Sequence, residues 1–238
     1  MKIDILAIGV HPDDVELGCG GIVARHVNMG YKVGILDLTR GELGTRGTPE
    51  IRDAEAAEGA KILGALFRVN LQFRDGFFSN DETHQLKLIE VIRKYQPDIV
   101  LTNAPHDRHP DHAKASQLTV DACFLSGLPK IITSYNGENQ KAWRPKTVYH
   151  YIQAYHHKPN LVVDITDFIE TKMQAIKAYK SQFYNPESNE PETLIAKPEF
   201  LDFTYARAVE FGIHAGFRYA EGLITNRYIG VQNLTTLS

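Results

Sequence analysis

Short apolar runs alternate with stretches of helical period along the first half of the chain. Ile3 to Gly9 reads as a buried strand, Gly18 to Met29 as a helix stopping at Gly30, and Val33 to Leu38 as a second strand. Pro49 to Leu63 reads as a helix, with Thr48 as its N-cap and Pro49 at its first position. Phe67 to Phe73 is a third strand, Glu82 to Tyr95 a helix, Asp98 to Thr102 a fourth strand and Asp111 to Leu125 a further helix. Strand-helix alternation of this kind predicts an α/β fold: a Rossmann-like, mostly parallel sheet with helices on both faces.

The second half is less regular. Thr147 to Ala154 and Leu161 to Val163 read as strands, and Thr166 to Phe183 and Glu199 to Phe211 as helices. The polar, Pro-containing segment Asn185 to Pro198 between those helices reads as a surface loop, a lid or an oligomer contact. Without repeats, heptads or low-complexity tracts, residues 1–238 are expected to form one domain.

Composition narrows the class. With 43% hydrophobic and 23% charged residues the chain has an ordinary globular make-up, and 238 residues suffice for a proper core. A formal net charge of -3 offers no general attraction to nucleic acid or to anionic membrane. Two cysteines, Cys19 and Cys123, build no disulfide framework. Cys19, within Gly18-Cys19-Gly20-Gly21, reads as a small buried residue rather than a soft metal ligand. No signal peptide is evident, and no stretch approaches the ~20 apolar residues of a membrane span, so a cytoplasmic location is expected.

The chemistry lies where predicted strands end. His11-Pro12-Asp13-Asp14 follows the first strand, and His106-Asp107-Arg108-His109-Pro110-Asp111-His112 follows the fourth. Ligands of open α/β sheets bind at that edge. Two such clusters meeting there supply nitrogen and oxygen donors for a zinc-type ion, with carboxylate to spare for proton transfer. Taken alone, Pro-Asp-Asp is also good turn chemistry, and an Asp there could cap the following helix. Three histidines within seven residues at a strand end do not read as core packing, and together the clusters favour a metal site. The spacing leaves open which histidine completes the ligand set.

The pair of motifs resembles the signature of the PIG-L/LmbE-type zinc deacetylases, which remove acetyl groups from N-acetylglucosamine conjugates. Gly18-Cys19-Gly20-Gly21, Thr39-Arg40-Gly41-Glu42, the helix containing Arg52 and Ala220-Glu221-Gly222 extend the resemblance over most of the chain. The overall layout most resembles the bacillithiol-pathway branch, which acts on N-acetylglucosaminyl-L-malate. The resemblance implies His11, Asp14 and His112 as zinc ligands, with iron(II) an alternative occupant in cells, and Asp13 as general base. It implies His109 as a protonated donor to the oxyanion and then to the leaving amine, with Asp111 pairing with His109 and raising its pKa. Arg52 and Asp75 are implied to hold the substrate, Arg52 suiting a malate carboxylate; Arg40, Arg46 and Arg108 offer the same chemistry. A small-molecule substrate and a homo-oligomer, trimer or hexamer, are implied too.

One departure stands out. Some relatives carry a tyrosine two residues before the histidine matching His109, where this chain has Asp107, so oxyanion assistance is expected to be absent or to come from Tyr151 or Tyr155. His26, His84, His106, His150, His156 and His157 read as ordinary histidines, and His214 as one to check for proximity to the site. Other readings are an amidase of thiol conjugates, a chitooligosaccharide deacetylase, a silent binding protein and a nucleotide-binding Rossmann protein. The last lacks G-x-G-x-x-G spacing, and Gly18 lies nine residues beyond Gly9. A silent copy would have no chemical need for Asp13 beside His11, Asp14 and His112.

Overall fold

The computed structural model describes residues 1–233 and Thr235. The chain runs β1 (Ile5–Gly9), α1 (Asp14–Asn28), β2 (Val33–Thr39), α2 (Pro49–Leu63), β3 (Phe67–Phe73), α3 (Glu82–Tyr95), β4 (Ile99–Thr102) and α4 (Pro110–Leu125). It continues with a small hairpin, β5 (Ser134–Tyr135) and β6 (Glu138–Asn139), then β7 (Thr147–Tyr151), β8 (Leu161–Asp164), α5 (Ile169–Lys177), α6 (Pro198–Ile213) and β9 (Ala220–Ile224).

Strands β1 and β2 are apolar on both faces because both faces are covered. Ile5 and Ala7 of β1, with Val33 and Ile35 of β2, pack beneath α1, α2 and α5. Leu6, Ile8, Leu36 and Leu38 point the other way, toward α3 and α4. The seven-stranded sheet has the order β3-β2-β1-β4-β7-β9-β8. β3, β2, β1, β4 and β7 are parallel, whereas β9 runs antiparallel to both β7 and β8. The chain leaves β1 in one direction, toward β2 and β3, and then resumes at β4 on the other side. Loops after β1 and β4 therefore part at a topological switch point, where a crevice opens at the strands' carboxyl ends.

Helices α2 and α3 have the predicted bounds. Thr48 accepts the Ile51 amide at 3.3 Å, Pro49 fills the first position, and Gly64 closes α2 in the left-handed conformation. Elsewhere the boundaries differ. Helix α1 starts at Asp14 rather than Gly18, and is broken at Cys19 (φ -149°). The break frees backbone groups within a buried helix, and two distant side chains satisfy them. Glu221 of β9 accepts the Gly21 amide at 3.1 Å and the Ile22 amide at 2.7 Å, capping the second half of α1. Lys172 of α5 donates to the Leu17 carbonyl at 2.8 Å and pairs with Glu221 at 2.5 Å. The helix predicted over Thr166 to Phe183 is a 3-10 turn followed by the shorter α5, and β9 and the β5-β6 hairpin were not foreseen. No helix among the described residues is long and apolar enough to cross a membrane.

Candidate active site

The two predicted clusters meet at the switch point. Asp14, at the start of α1, is buried and saturated with donors. Its Oδ2 accepts the amides of Val10 and His11, each at 3.0 Å, and Asn103 Nδ2 at 3.1 Å; its Oδ1 accepts Gln153 Nε2 at 2.7 Å. Burial alone would raise its pKa, but His112, His11 and the Gln153 amide hold it well below the usual carboxylate range.

His112 stands on the first turn of α4, its Nε2 3.3 Å from Asp14 Oδ1 and its Nδ1 2.8 Å from Asp107 Oδ2. Burial lowers its pKa, yet the carboxylates of Asp14 and Asp107 prevail and push it up to about 10. His11 is arranged alike: its Nε2 lies 3.0 Å from Asp75 Oδ1, and its Nδ1 3.7 Å from Asp14 Oδ2. Each imidazole thus has one nitrogen toward a carboxylate behind it and the other toward Asp14. Asp75 and Asp107 are in turn held by backbone amides, Leu43 at 3.1 Å for Asp75, and Arg108 and Tyr155 at 2.8 Å for Asp107. Burial would raise both acids, but their histidine partners and these amides hold each at about 2. Donor atoms of His11, His109 and His112 lie within 4.8 Å of one another, as do those of His11, Asp75 and Asp111. With Asp14 adjoining both groups, the donors suit a borderline divalent cation, which takes imidazole nitrogen and carboxylate oxygen. The carboxylates behind the rings are the usual second layer of such sites.

Asp13 is buried, and its backbone is strained at φ 122° and ψ -23°. Burial pushes its pKa up to about 7, against the opposing pull of Arg52, whose Nη2 donates to Asp13 Oδ2 at 2.8 Å. The Arg52 guanidinium also donates to the Gly41 carbonyl at 3.3 Å. Gly41 sits at φ 64°, and a Cβ there would overlap Arg52 Nη1, which accounts for the glycine of Thr39-Arg40-Gly41-Glu42.

Two expectations are corrected. Asp111 does not pair with the His109 side chain. Its carboxylate accepts the Gly76 amide at 2.8 Å and meets Lys114 Nζ at 2.5 Å, while its backbone amide donates to His109 Nδ1 at 3.3 Å. As N-cap of α4, His109 folds onto the helix N-terminus, and the Asp111 side chain turns elsewhere. The His109 pKa is accordingly lowered, not raised: burial and the neighbouring His11 and His112 outweigh Asp111. Arg52 and Asp75 both line the cavity above the site and also pair within the protein, Arg52 with Asp13, and Asp75 with His11 and the Leu43 amide.

Above these residues opens a cavity of about 800 Å³, lined among others by Leu43, Arg46, Arg108, Tyr155, Leu194 and Phe203. Segment 185–198 meets the cavity through Thr193, Leu194, Ile195 and Lys197, and its Glu190 accepts the Gly47 amide at 2.9 Å. Arg46 also reaches this segment, donating to Ser188 Oγ at 2.8 Å. Arg40 is engaged outside the cavity by Asp53 and Glu50. Tyr155 lines the cavity, whereas the Tyr151 hydroxyl is buried on the Ile8 carbonyl at 2.9 Å. His150 is buried between Ser116 and the Asn103 carbonyl, and His214 is exposed at the end of α6. Sequence reasoning missed Asp107, Asn103 and Gln153 as holders of the site. For Asp107 the five-residue step back from His112 was a usable signal; Gln153 had none.

Comparison with known proteins places this geometry. Residues 6–123 match the family model described as PIG-L, GlcNAc-PI de-N-acetylase. Diacetylchitobiose deacetylase of Thermococcus kodakarensis is 33% identical over 234 residues, covering 92% of this chain and 81% of the relative. The probable N-acetyl-alpha-D-glucosaminyl L-malate deacetylase 2 of Bacillus subtilis is 26% identical over 199 residues, covering 76% of this chain and 84% of the relative. Among solved structures, the conserved protein TT1542 from Thermus thermophilus superposes with a TM-score of 0.85 at 38% identity, over 97% of this chain and 98% of that one. The buried Asp13 and the histidine cluster at the switch point thus sit in a shared scaffold, and the chain belongs to the PIG-L family as a deacetylase, a hydrolase of amide bonds.

Proposed function

We propose that this chain is a zinc-dependent N-deacetylase of N-acetylglucosamine conjugates, with N-acetylglucosaminyl-L-malate as substrate and glucosaminyl-malate and acetate as products. The observation that carries the reaction class is Asp13, a buried carboxylate with a pKa of about 7, beside a His/Asp donor cluster on a cavity floor. A general base works best with a pKa near the working pH. His11, Asp14 and His112 would hold the ion, with Asp75 and Asp107 behind the two imidazoles. Bound there, a divalent cation, zinc or iron(II), supplies Lewis acidity toward the amide carbonyl and toward water.

The chain's own groups carry the proton. Asp13 accepts it from the attacking water and returns it to the departing amine nitrogen; water and amide become amine and acetic acid, whose remaining proton then passes to the amine to give acetate and an ammonium. Arg52 holds the Asp13 carboxylate in place during both transfers. His109 accepts a hydrogen bond at Nδ1, which leaves its proton on Nε2 when neutral, available to the carbonyl oxygen as negative charge develops.

Arg108 on the cavity wall, with no carboxylate partner among the described ion pairs, favours an anionic aglycone; Arg46 and Lys197 beside it are paired with Glu190 and Glu192. A second reading, a deacetylase of diacetylchitobiose, has specific support too: the Thermococcus relative is named for that substrate, and Tyr155 offers a half-exposed ring for a second sugar. Acetate release from the malate conjugate, diacetylchitobiose and N-acetylglucosamine separates the two. The malate conjugate is expected to exceed both others in kcat/KM by at least tenfold, about 1.4 kcal/mol of transition-state binding. Chelation should abolish release and zinc restore it. A preference for diacetylchitobiose would overturn the malate assignment, and undiminished release after complete metal removal would overturn the metal.

A further inference from the structure

We infer that Arg207, on α6, is a positioning residue for the metal donors, acting through the loop that follows β7. This rests on the metal-site reading above. The loop leaves the sheet at Ile152, whose amide reaches the Gly222 carbonyl at 3.3 Å. Beyond that point no backbone donor among the described residues reaches the carbonyls of Gln153 and Ala154. The Arg207 guanidinium takes both: Nη1 donates to the Gln153 carbonyl and Nη2 to the Ala154 carbonyl, the latter at 2.9 Å. Its plane is steadied by the Phe203 ring, whose centroid lies 4.5 Å away.

What this clamp holds sets it apart from an ordinary loop anchor. Two routes lead from the clamped residues to two different donors. Gln153 Nε2 donates to Asp14 Oδ1 at 2.7 Å. The amides of Ala154 and Tyr155 donate to the Asp107 carboxylate at 3.4 and 2.8 Å, and Asp107 Oδ2 lies 2.8 Å from His112 Nδ1. One three-residue stretch thus orients a carboxylate donor directly and an imidazole donor through Asp107. Metal sites tolerate only ~0.2 Å of error in ligand distances, and loss of groups behind the ligands typically weakens affinity 10–100-fold. A guanidinium fork spans two successive carbonyls in a fixed plane; an ammonium on a flexible stem does not reproduce that geometry. Arg207 itself touches neither Asp14 nor His112 in the hydrogen bonds described, so its influence runs through the loop.

The test is metal affinity, measured on metal-free protein by chelator competition for wild type, Arg207→Met and Arg207→Lys. The cobalt(II) absorption spectrum reports the geometry at the donors. Arg207→Met is expected to weaken zinc binding by ~10–100-fold and to change the cobalt spectrum, with Arg207→Lys in between. A purely structural role would lower the melting temperature of the metal-free protein and leave the zinc affinity of the folded variant unmoved. Affinity within twofold of wild type in folded Arg207→Met overturns the inference; if that variant does not fold, the same result in Arg207→Lys does so. A wild-type chain that binds no zinc would instead overturn the metal-site reading on which this one stands.

Discussion

Asp13→Asn is expected to lower kcat for acetate release by ~10²–10⁴-fold, the usual contribution of a positioned general base, while leaving the metal content of the protein unchanged. Asparagine is the informative replacement for two reasons. Residue 13 sits at φ 122°, a region side chains seldom adopt, and asparagine tolerates positive φ better than most. Its amide oxygen can still accept from Arg52 Nη2, which now donates to the carboxylate at 2.8 Å. The substitution therefore removes basicity and little else. Acetate release and metal analysis on one preparation decide the matter. Loss of metal along with activity would make Asp13 a ligand rather than a base, and retained kcat would move the base elsewhere.

Glu221→Ala is expected to destabilise the fold by ~3–5 kcal/mol, the range for removing one member of a buried ion pair. The amides of Gly21 and Ile22 lose their acceptor, and the Lys172 ammonium loses its counter-charge while keeping only the Leu17 carbonyl. Both Lys172 and Glu221 are almost wholly buried, so water does not make good the loss. For a chain of this size each kcal/mol shifts the melting temperature by about 2–4 °C, placing the expected drop on the order of 10 °C. Thermal unfolding followed by circular dichroism would show it. The double variant Glu221→Ala, Lys172→Met should lose less than Glu221→Ala alone, because the unpaired buried charge is gone. A drop below ~2 °C would mean that the break in α1 is capped in some other way.

How much of this was legible in the sequence varied with how local the cause is. Helix α2 could be read because its start signal, Thr48-Pro49, lies at its own end. The start of α1 could not. Gly18-Cys19-Gly20-Gly21 looks like a helix opening, and in one sense it is, since the second half of α1 is capped there; but the cap comes from Glu221, 200 residues away. Strand β9 carries Glu221 and Gly222 amid only five residues, too short and too polar to announce itself. For the site, strand ends bearing His and Asp were enough to bring the two clusters to one crevice; singling out His11, Asp14 and His112 within them took the family resemblance. Partnerships inside it were not readable, because they depend on which way short side chains turn at a helix N-terminus. Asp111 turns to Gly76 and Lys114, and Asp107, which looked like a departure from the pattern, is the carboxylate behind His112.

The same break in α1 has a practical consequence. Cys19 lies at its centre, buried, with burial pushing its thiol far above the ordinary range; Cys123, on α4, is buried too and pushed up to about 12. Burial and the raised pKa of both thiols disfavour a reactive thiolate near neutral pH, so the native chain is expected to label slowly with maleimides and iodoacetamides. A cysteine introduced at exposed Asn189, between the two residues that tie segment 185–198 to Arg46 and Gly47, would be the first site of labelling. A fluorophore there would report, on single molecules, whether segment 185–198 at the mouth of the cavity moves or stays fixed.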